Sequence, residues 1–340
     1  MNLPMRNTPP DHGIRVPLQV LQQLVRDLFT QAGMAASDAD LMGYILAQTD
    51  LRCVYSHGTR QTAGYIRKIQ EGCVNPRPEI TTVKLSANTV VLDGDGGMGY
   101  LPSYRGTEMA LGMAKEHGVG VATTRNHFHF GAAGTYSRMA LSHDFIGLAI
   151  SSHRYPMEPD RNILSASGGS PMSIAIPAEK QPPIVLDMSA NVMPAGAQEE
   201  LFERFSAAFM KSLGLGVVFQ ALGGILAGIW KPEFQAPQSQ WKSDQGAFII
   251  MLNIENFRSL DGFLSDMDDF VGKARLMKPM PGMPTSELPG GLEWQWEREN
   301  RDLGIPISDE HRRTLEEISK GFGIDTPFEQ YENTRFSNTG

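Results

Sequence analysis

The most informative segment of the chain is Asp50-Leu51-Arg52-Cys53-Val54-Tyr55-Ser56-His57-Gly58-Thr59-Arg60. It places a histidine between a small hydroxylic residue and a glycine, at the start of a predicted helix over residues 59–71. A histidine that can transfer a proton, followed by Arg60 and Tyr65 within two helical turns, is typical of a site for a small anion. The pattern also fits a packing interpretation, in which Ser56 caps the helix and His57 is an ordinary half-buried residue.

Further segments of the chain combine glycines, three more histidines and short apolar runs. In order, they are Thr89-Val90-Val91-Leu92-Asp93-Gly94-Asp95-Gly96-Gly97-Met98-Gly99, Glu116-His117-Gly118-Val119-Gly120-Val121, Arg125-Asn126-His127-Phe128-His129-Phe130-Gly131-Ala132-Ala133-Gly134, Ser173-Ile174-Ala175-Ile176-Pro177-Ala178, Ile184-Val185-Leu186-Asp187-Met188-Ser189, Leu288-Pro289-Gly290 and Gly304-Ile305-Pro306-Ile307-Ser308-Asp309. Together with the Ser-His-Gly triplet, they resemble the signatures of the malate/L-lactate dehydrogenase family of the non-Rossmann type, and they follow the same order. The chain is therefore identified as a member of that family.

The resemblance implies an α/β fold in which helical N- and C-terminal parts pack together around an α/β cofactor domain. We expect residues 13–118 with 285–330 to form the helical part, which binds substrate and forms the dimer. Residues 119–284 are expected to form the cofactor-binding domain.

The apolar periodicity of the sequence is compatible with this organisation. It predicts helices at the start of the chain, with Ser37 capping the second, and further helices over 103–117 and 309–320. Between them the period shortens and predicts strands over residues 89–92, 119–123, 145–151, 173–176, 184–188 and 247–254. The segment 277–289, which is rich in Pro, Gly and Met, is predicted to be a linker.

The glycine-rich segment 94–99 matches the pattern of a dinucleotide-binding loop, follows a predicted strand and precedes a helix. A Rossmann fold also requires an acidic residue after the next strand to bind the ribose. Here that strand is followed by Thr124-Arg125-Asn126. We therefore interpret these glycines as a structural turn.

The resemblance implies hydride transfer between a nicotinamide, NAD or NADP, and a carbon that bears a hydroxyl or amino group next to a carboxylate. Such a reaction needs a proton donor or acceptor. His129 and His57 match the histidines of two family signatures and are the catalytic candidates. His127 stands where relatives have a small residue, and we interpret it as a solvent-facing or packing residue.

The resemblance also implies which residues bind the two ligands. The candidates for substrate binding are Arg60, Gln61, Tyr65, Ser56, Gly169 and Ser170. The candidates for cofactor binding are Asp187, Met188, Ser189, Lys211, Gly290 and Gly291. A lysine near the start of a glycine-rich helix suits a pyrophosphate, although Asp187 also fits a strand end and Lys211 a solvated helix charge. No metal site is expected.

The chain departs from the family in the substrate region. The arginine that binds the carboxylate lies four residues after the first histidine in relatives, whereas that position is Gln61 here and Arg60 lies at three. Residues three and four apart share a helix face, so Arg60 could replace it. The Gly-Thr-Asn-Pro turn of relatives is Gly168-Gly169-Ser170-Pro171. Because several polar partners change together, the sequence favours a pocket rebuilt for an uncharged group, with Gln61 as its contact and simple 2-oxo acids as poor substrates.

A second departure concerns the cofactor cleft. The segment 196–211 is shorter than in relatives, where a long loop helps to form the cleft, and its replacement predicts a short amphipathic helix over 198–205. A missing wall would expose the dinucleotide and weaken its binding.

Composition indicates a soluble metabolic enzyme. The 340 residues have a net charge of -8 and scattered basic residues, which argues against binding nucleic acid or anionic lipid. Two cysteines, Cys53 and Cys73, are too few for a disulfide framework, and the polar, Pro-rich start shows no signal sequence. Both features favour the cytoplasm. The apolar segment 213–230 has the length of a membrane span, but its glycines favour a tightly packed core helix.

The sequence thus predicts a homodimeric NAD(P)-dependent oxidoreductase acting on a small 2-oxo or 2-hydroxy acid or an imino analogue. One alternative is a scaffold of the same family that has lost the nicotinamide and uses His57 and His129 for isomerisation or elimination. A second is a silent paralogue retained as an assembly subunit. Binding of NADH or NADPH separates the first prediction from the scaffold alternative.

Overall fold

The computed structural model describes residues 7–155, 157–191 and 198–337. The chain forms two compact units, Met1–Arg77 with Lys273–Gly340, and Pro78–Gly272. The sequence analysis expected the second domain to begin at residue 119, whereas the second compact unit begins at Pro78. It includes residues 78–118 because the strand Thr89–Asp93 is hydrogen-bonded along its length to the strand Val119–His127. The return to the first unit, expected at residue 285, occurs at 273.

The helices and strands of the described residues alternate in the middle of the chain. In order they are β1 (His12–Val16), α1 (Leu18–Gln31), α2 (Ala36–Leu51), α3 (Thr62–Gln70), β2 (Thr81–Leu85), β3 (Thr89–Asp93), α4 (Tyr100–His117), β4 (Val119–His127), α5 (Gly134–Ser137), β5 (Phe145–His153), β6 (Pro171–Ile176), β7 (Ile184–Ser189), α6 (Gln198–Phe219), β8 (Gln245–Asn253), α7 (Leu260–Arg275), α8 (Gly291–Leu303), β9 (Ile305–Ile307), α9 (Asp309–Phe322) and β10 (Phe336–Ser337). Short 3₁₀ turns cover Tyr55–His57 and Thr59–Gln61. All six predicted strands are present.

Within the described part of the second unit, seven strands form one sheet in the order β2-β3-β4-β8-β5-β6-β7. Only β3 and β4 run parallel, and every other neighbouring pair is antiparallel. A Rossmann fold is built on a mostly parallel sheet. The prediction of a non-Rossmann α/β fold is therefore confirmed.

The core of this unit lies between the sheet and α4. Strand β8 turns Ala247, Ile249 and Met251 inward at alternate positions, as a strand with one buried face requires. Helix α4 lies so close to the sheet that a Cβ added at Gly120 of β4 would be 1.9 Å from the carbonyl oxygen of Ala110. Small residues at this contact therefore set the distance between helix and sheet.

The first unit contains a small sheet that the sequence analysis missed. Strand β1 pairs antiparallel with β9 on one side and with β10 on the other, so the two ends of the chain share one sheet. Strands of two to five residues are too short to show a clear period. The predicted cap at Ser37 is also wrong, because α2 already begins at Ala36 and no side chain caps it.

Helix α6 and the π-helical turn that follows it bury only one face. Phe209, Phe219 and Gly223 are buried, whereas Val218 is 52% exposed and Ile225 is 65% exposed. The prediction of a tightly packed core helix is therefore wrong for the outer face. By length and composition alone, the described stretch Leu201–Leu226 could cross a membrane. Of its 18 most apolar consecutive residues, 39% are buried. The helix kinks at Phe205, where the predicted short helix ends.

The glycine-rich turn after β3 is filled by protein atoms. A Cβ at Gly96 would lie 2.2 Å from Cδ1 of Trp241, and one at Gly99 would lie 2.5 Å from Nδ1 of His127. His127 is fully buried, with Nε2 2.9 Å from the Thr124 hydroxyl and Nδ1 2.8 Å from the Phe128 carbonyl oxygen. These contacts support the interpretation of a structural turn and give His127 a packing role.

We predict that His127 makes stability depend on pH. Burial lowers its pKa from 6.5 to about 4, so below neutral pH the unfolded chain binds this proton first. The free energy of unfolding should fall by up to roughly 3 kcal/mol between about pH 6.5 and about pH 4, and be unaffected by this group at higher pH. Urea titrations at about pH 7.5 and about pH 5 should show a smaller loss in His127→Gln than in the wild type.

The matched control for this prediction is His12→Gln, since the side chain of His12 is 66% exposed. It should lose as much stability at low pH as the wild type. Equal losses in wild type and His127→Gln would contradict the assignment.

Candidate active site

The turn that contains His57 lies in the first unit between α2 and α3. His57 is half-buried, and its Nδ1 is 2.9 Å from the hydroxyl of Ser56. The backbone N–H of His57 donates to the Val54 carbonyl at 3.0 Å. The Gln61 amide donates to the Ser56 carbonyl at 2.8 Å. Gln61 therefore holds the turn as well as being a substrate candidate.

A buried polar chain lies beneath this turn. The Asp50 carboxyl accepts the Thr59 backbone N–H at 3.1 Å and contacts the Thr59 hydroxyl at 2.5 Å. The same hydroxyl is 2.9 Å from Nε2 of His311 at the start of α9. Sequence reasoning missed these buried contacts, although a carboxylate soon after the mostly apolar run of residues 41–47 was a signal for Asp50. His311 lies 252 residues from Thr59 and offered no such signal.

Burial dominates the protonation of both ends of this chain. Desolvation raises the pKa of Asp50 to about 7, opposed by the Thr59 hydrogen bonds and by the charge of Arg52. Desolvation lowers the pKa of His311 to about 3, and the nearby charge of Arg60 acts in the same direction. Near pH 7 the His311 ring is therefore neutral, whereas Asp50 is close to the midpoint between its protonated and ionised forms.

The other two substrate candidates of this region differ in exposure. Arg60 lies on the surface, where its guanidinium pairs with Glu310 at 3.0 Å. Tyr65, on α3, is only 5% exposed and lies among the core residues of the first unit. The structure thus brings Ser56, His57 and Gln61 together and places Arg60 at the rim of the same turn.

His129 lies in the second unit, in the loop that leaves β4. It is half-buried, and its carbonyl oxygen accepts the Gly99 N–H at 3.1 Å. The loop ends at Gly134, whose N–H donates to the Asp187 carboxylate at 3.0 Å. A Cβ at Gly134 would lie 2.5 Å from that oxygen. Asp187 of β7 therefore fixes the end of the loop that contains His129.

The turn before β6 meets the end of β7. Gly168 and Gly169 adopt left-handed φ angles of 61° and 66°, which favour glycine. The Ser189 hydroxyl donates to the Gly169 carbonyl at 3.0 Å. Ser170 is fully buried, and its hydroxyl is 2.8 Å from that of Ser152. The Ser170 hydroxyl, a candidate for substrate binding, thus has a partner inside the protein.

Lys211 lies on the exposed side of α6. The next residue, Ser212, donates a short hydrogen bond to the Ala190 carbonyl, directly after β7. Four of the six cofactor candidates, Asp187, Met188, Ser189 and Lys211, therefore belong to one region of the second unit. The shortened segment begins at residues 196 and 197, which lie outside the described residues.

Gly290 and Gly291 lie in the first unit, at the start of α8. Gly290 has a left-handed φ of 89°, and a Cβ at Gly291 would lie 2.5 Å from the Glu287 carboxylate. Glu287 also pairs with Arg275 at 3.1 Å and accepts from Gln295 at 2.6 Å. The chain's own carboxylate therefore occupies this helix start, which explains both glycines without a ligand.

No group of three or more His, Cys, Asp or Glu side chains that could hold a metal ion occurs among the residues the structure describes.

Comparisons with known proteins agree over nearly the whole chain. A malate dehydrogenase from Pyrococcus horikoshii is 27% identical over 351 residues, which cover 93% of this chain and 97% of the relative. An L-sulfolactate dehydrogenase from Methanocaldococcus jannaschii is 27% identical over 334 residues, covering 89% and 96%. The solved structure of the Pyrococcus horikoshii malate dehydrogenase matches with a TM-score of 0.81 at 27% identity, covering 94% of this chain and 98% of that one.

The model of one protein family, described as Malate/L-lactate dehydrogenase, matches residues 16–204 and 203–316. The match divides at residues 203–204, inside the segment that the sequence predicts to be shortened. Since the two ranges span most of the chain, the protein belongs to the malate/L-lactate dehydrogenase family.

Proposed function

We propose that the protein is an NAD(P)-dependent oxidoreductase that transfers a hydride to or from a small 2-oxo or 2-hydroxy acid, or a related imino compound. The observation on which this depends is the family match over both units, with a half-buried histidine in each. Its curated relatives are named as dehydrogenases or reductases. No observation favours the non-redox alternative.

A nicotinamide dinucleotide fits the charge and placement of residues in the second unit. Strand β7 is at the edge of the sheet. No other described strand pairs with the outer side of its residues Asp187, Met188 and Ser189. The hydrogen bond from Ser212 to Ala190 places the exposed Lys211 beside the end of that strand, and a lysine is suited to a phosphate. We propose that the unit Pro78–Gly272 holds the cofactor. When bound, it supplies the carbon that gives or receives the hydride.

The histidines of the chain supply the proton for this reaction. We propose that His129 or His57 exchanges a proton with the oxygen or nitrogen atom on the reacting carbon. Ser56 fixes the orientation of the His57 ring through Nδ1, and Asp187 fixes the loop of His129 through Gly134. Both arrangements reduce the reorientation needed before proton transfer.

We propose that Arg60 binds the substrate carboxylate. Its partner Glu310 is 68% exposed and Arg60 itself is 48% exposed, so breaking this ion pair costs about 1 kcal/mol or less. The Gln61 amide nitrogen, by contrast, already donates to the Ser56 carbonyl. This contact argues against the expectation that Gln61 replaces the arginine as the main substrate contact.

The test of the proposed function is cofactor binding followed by turnover. We expect NADH or NADPH fluorescence to change on adding the protein, and one of them to support reduction of 2-oxo acids. His129→Ala and His57→Ala should keep cofactor binding, and at least one should lose about 10²- to 10⁴-fold in turnover. Failure to bind either nucleotide would refute the proposal. Near-normal turnover in one variant would remove that histidine from the mechanism.

The roles of Arg60 and Gln61 can be separated by kinetics. Arg60→Ala should raise KM for acids by about 10-fold or more, since a hydrogen bond to a charged group contributes about 1.5–3 kcal/mol. Gln61→Ala should mainly lower kcat, because it loosens the turn at Ser56. Arg67→Ala, on the exposed side of α3, is the control and should change neither. A large KM effect in Gln61→Ala alone, with pyruvate a poor substrate, would favour the pocket for an uncharged group.

We also propose that two chains associate as a homodimer. The support is the exposed apolar face of α6 and the following turn, which includes Val217, Val218, Ile225 and Leu226. Light scattering should give twice the chain mass of 37.4 kDa. Ile225→Glu should reduce this mass, whereas Leu276→Glu, at a site 88% exposed in the other unit, should not. A monomeric wild type would contradict the proposal.

We further propose a cytoplasmic location. Cys53 and Cys73 are both buried and neither forms a disulfide, which suits a reducing compartment.

A further inference from the structure

The carboxyl of Asp50 lies directly beneath the backbone that follows His57. Asp50 is fully buried at the end of α2, and a Cβ added at Gly58 would lie 1.7 Å from its Oδ1. A glycine is therefore the only residue that lets the turn approach the carboxyl this closely. Oδ1 is buried and has no hydrogen-bond partner, so Asp50 contacts Thr59 through Oδ2 alone.

Oδ2 of Asp50 holds both polar groups of Thr59. It accepts the backbone N–H at 3.1 Å and lies 2.5 Å from the hydroxyl. Since Thr59 is also fully buried, water cannot replace these bonds. Thr59 is two residues after His57, so this contact from helix α2 fixes where the His57 turn ends.

His311 completes the chain on the far side of Thr59. The Thr59 hydroxyl has one proton, so it can donate to only one of its two neighbours. With an ionised Asp50, it donates to Oδ2 and accepts from Nε2–H of His311 at 2.9 Å. Every polar atom of Thr59 is then satisfied. Tyr55 packs edge-on against the His311 ring at 5.8 Å and limits its movement.

We propose that Asp50 is a positioning residue for His57, acting through Thr59 and Gly58. This inference rests on the proposed function, since it assumes that the place of the His57 ring matters for catalysis. The His57 turn is held from one side by Gln61, through the Ser56 carbonyl, and from below by Asp50. Removing the lower contact leaves the buried backbone N–H of Thr59 without its acceptor and takes one of two partners from the Thr59 hydroxyl, which favours a shifted turn.

The size of the expected effect follows from the geometry of proton transfer. A displacement of about 1 Å of a catalytic group can cost about 10²-fold in rate. The affinity for substrate should change little, because the residues that bind it are not displaced. The signature of a positioning role is therefore a fall in kcat at nearly constant KM, together with a changed environment of the His57 ring.

The experiment compares four variants of the full chain. Thr59→Val removes the hydroxyl without changing the shape, and Thr59→Ser restores it. Asp50→Asn removes the carboxylate, and Asp40→Asn, on the exposed face of the same helix, is the control. The measurements are kcat, KM and the ring-nitrogen resonances of His57 in ¹⁵N-histidine-labelled protein, assigned with His57→Gln.

We expect Thr59→Val and Asp50→Asn to shift the His57 resonances and to lower kcat by about 10- to 100-fold, with little change in KM. Thr59→Ser and Asp40→Asn should resemble the wild type. Unshifted His57 resonances in the folded variants would overturn the proposal, even if kcat falls. If Asp50→Asn does not fold, the comparison of Thr59→Val with Thr59→Ser decides. The resonances report without turnover, so a wild type inactive with nicotinamide would refute the proposed function and leave this test valid.

Discussion

Strand β8 is the constraint on which the second unit depends. It pairs antiparallel with β4 on one side and β5 on the other, although it follows them by about a hundred residues. Gln245 at its start aligns with His127 of β4 and with His153 of β5. The two strands therefore end at the same level, and the His129 loop leaves the sheet there. Such long-range pairing is specified by the whole sheet and not by any short segment.

This dependence explains what the sequence could predict. The strands and the family could be recognised because each signature is local, and all six predicted strands are observed. The assignment of residues 78–118 to the second unit could not be predicted, because it depends on the pairing of β3 with β4. The exposed face of α6 was missed for a related reason. Apolar composition shows that a helix can be buried, but the neighbours that bury it are set by tertiary structure.

The site shows the same limit among its histidines. His127 and His129 are two residues apart and equally polar, yet His127 is buried against the glycine turn and His129 is half-buried. His311 is buried as well, and desolvation lowers the pKa of both buried histidines. Only packing separates the neutral structural histidines from the two that match family signatures. The sequence interpretation of His127 as a solvent-facing or packing residue left open the choice that burial resolves.

The two histidine turns are built alike, although they lie in different units. Beyond each histidine, a backbone N–H donates to a carboxylate from another element: Thr59 to Asp50 of α2, and Gly134 to Asp187 of β7. Each carboxylate also lies where a glycine leaves room for it, at Gly58 and at Gly134. A charged acceptor makes a stronger hydrogen bond than a carbonyl, so it fixes a loop that secondary structure alone leaves loose. In the sequence this arrangement is visible only as glycines near histidines. The carboxylates that require those glycines are supplied by other parts of the fold.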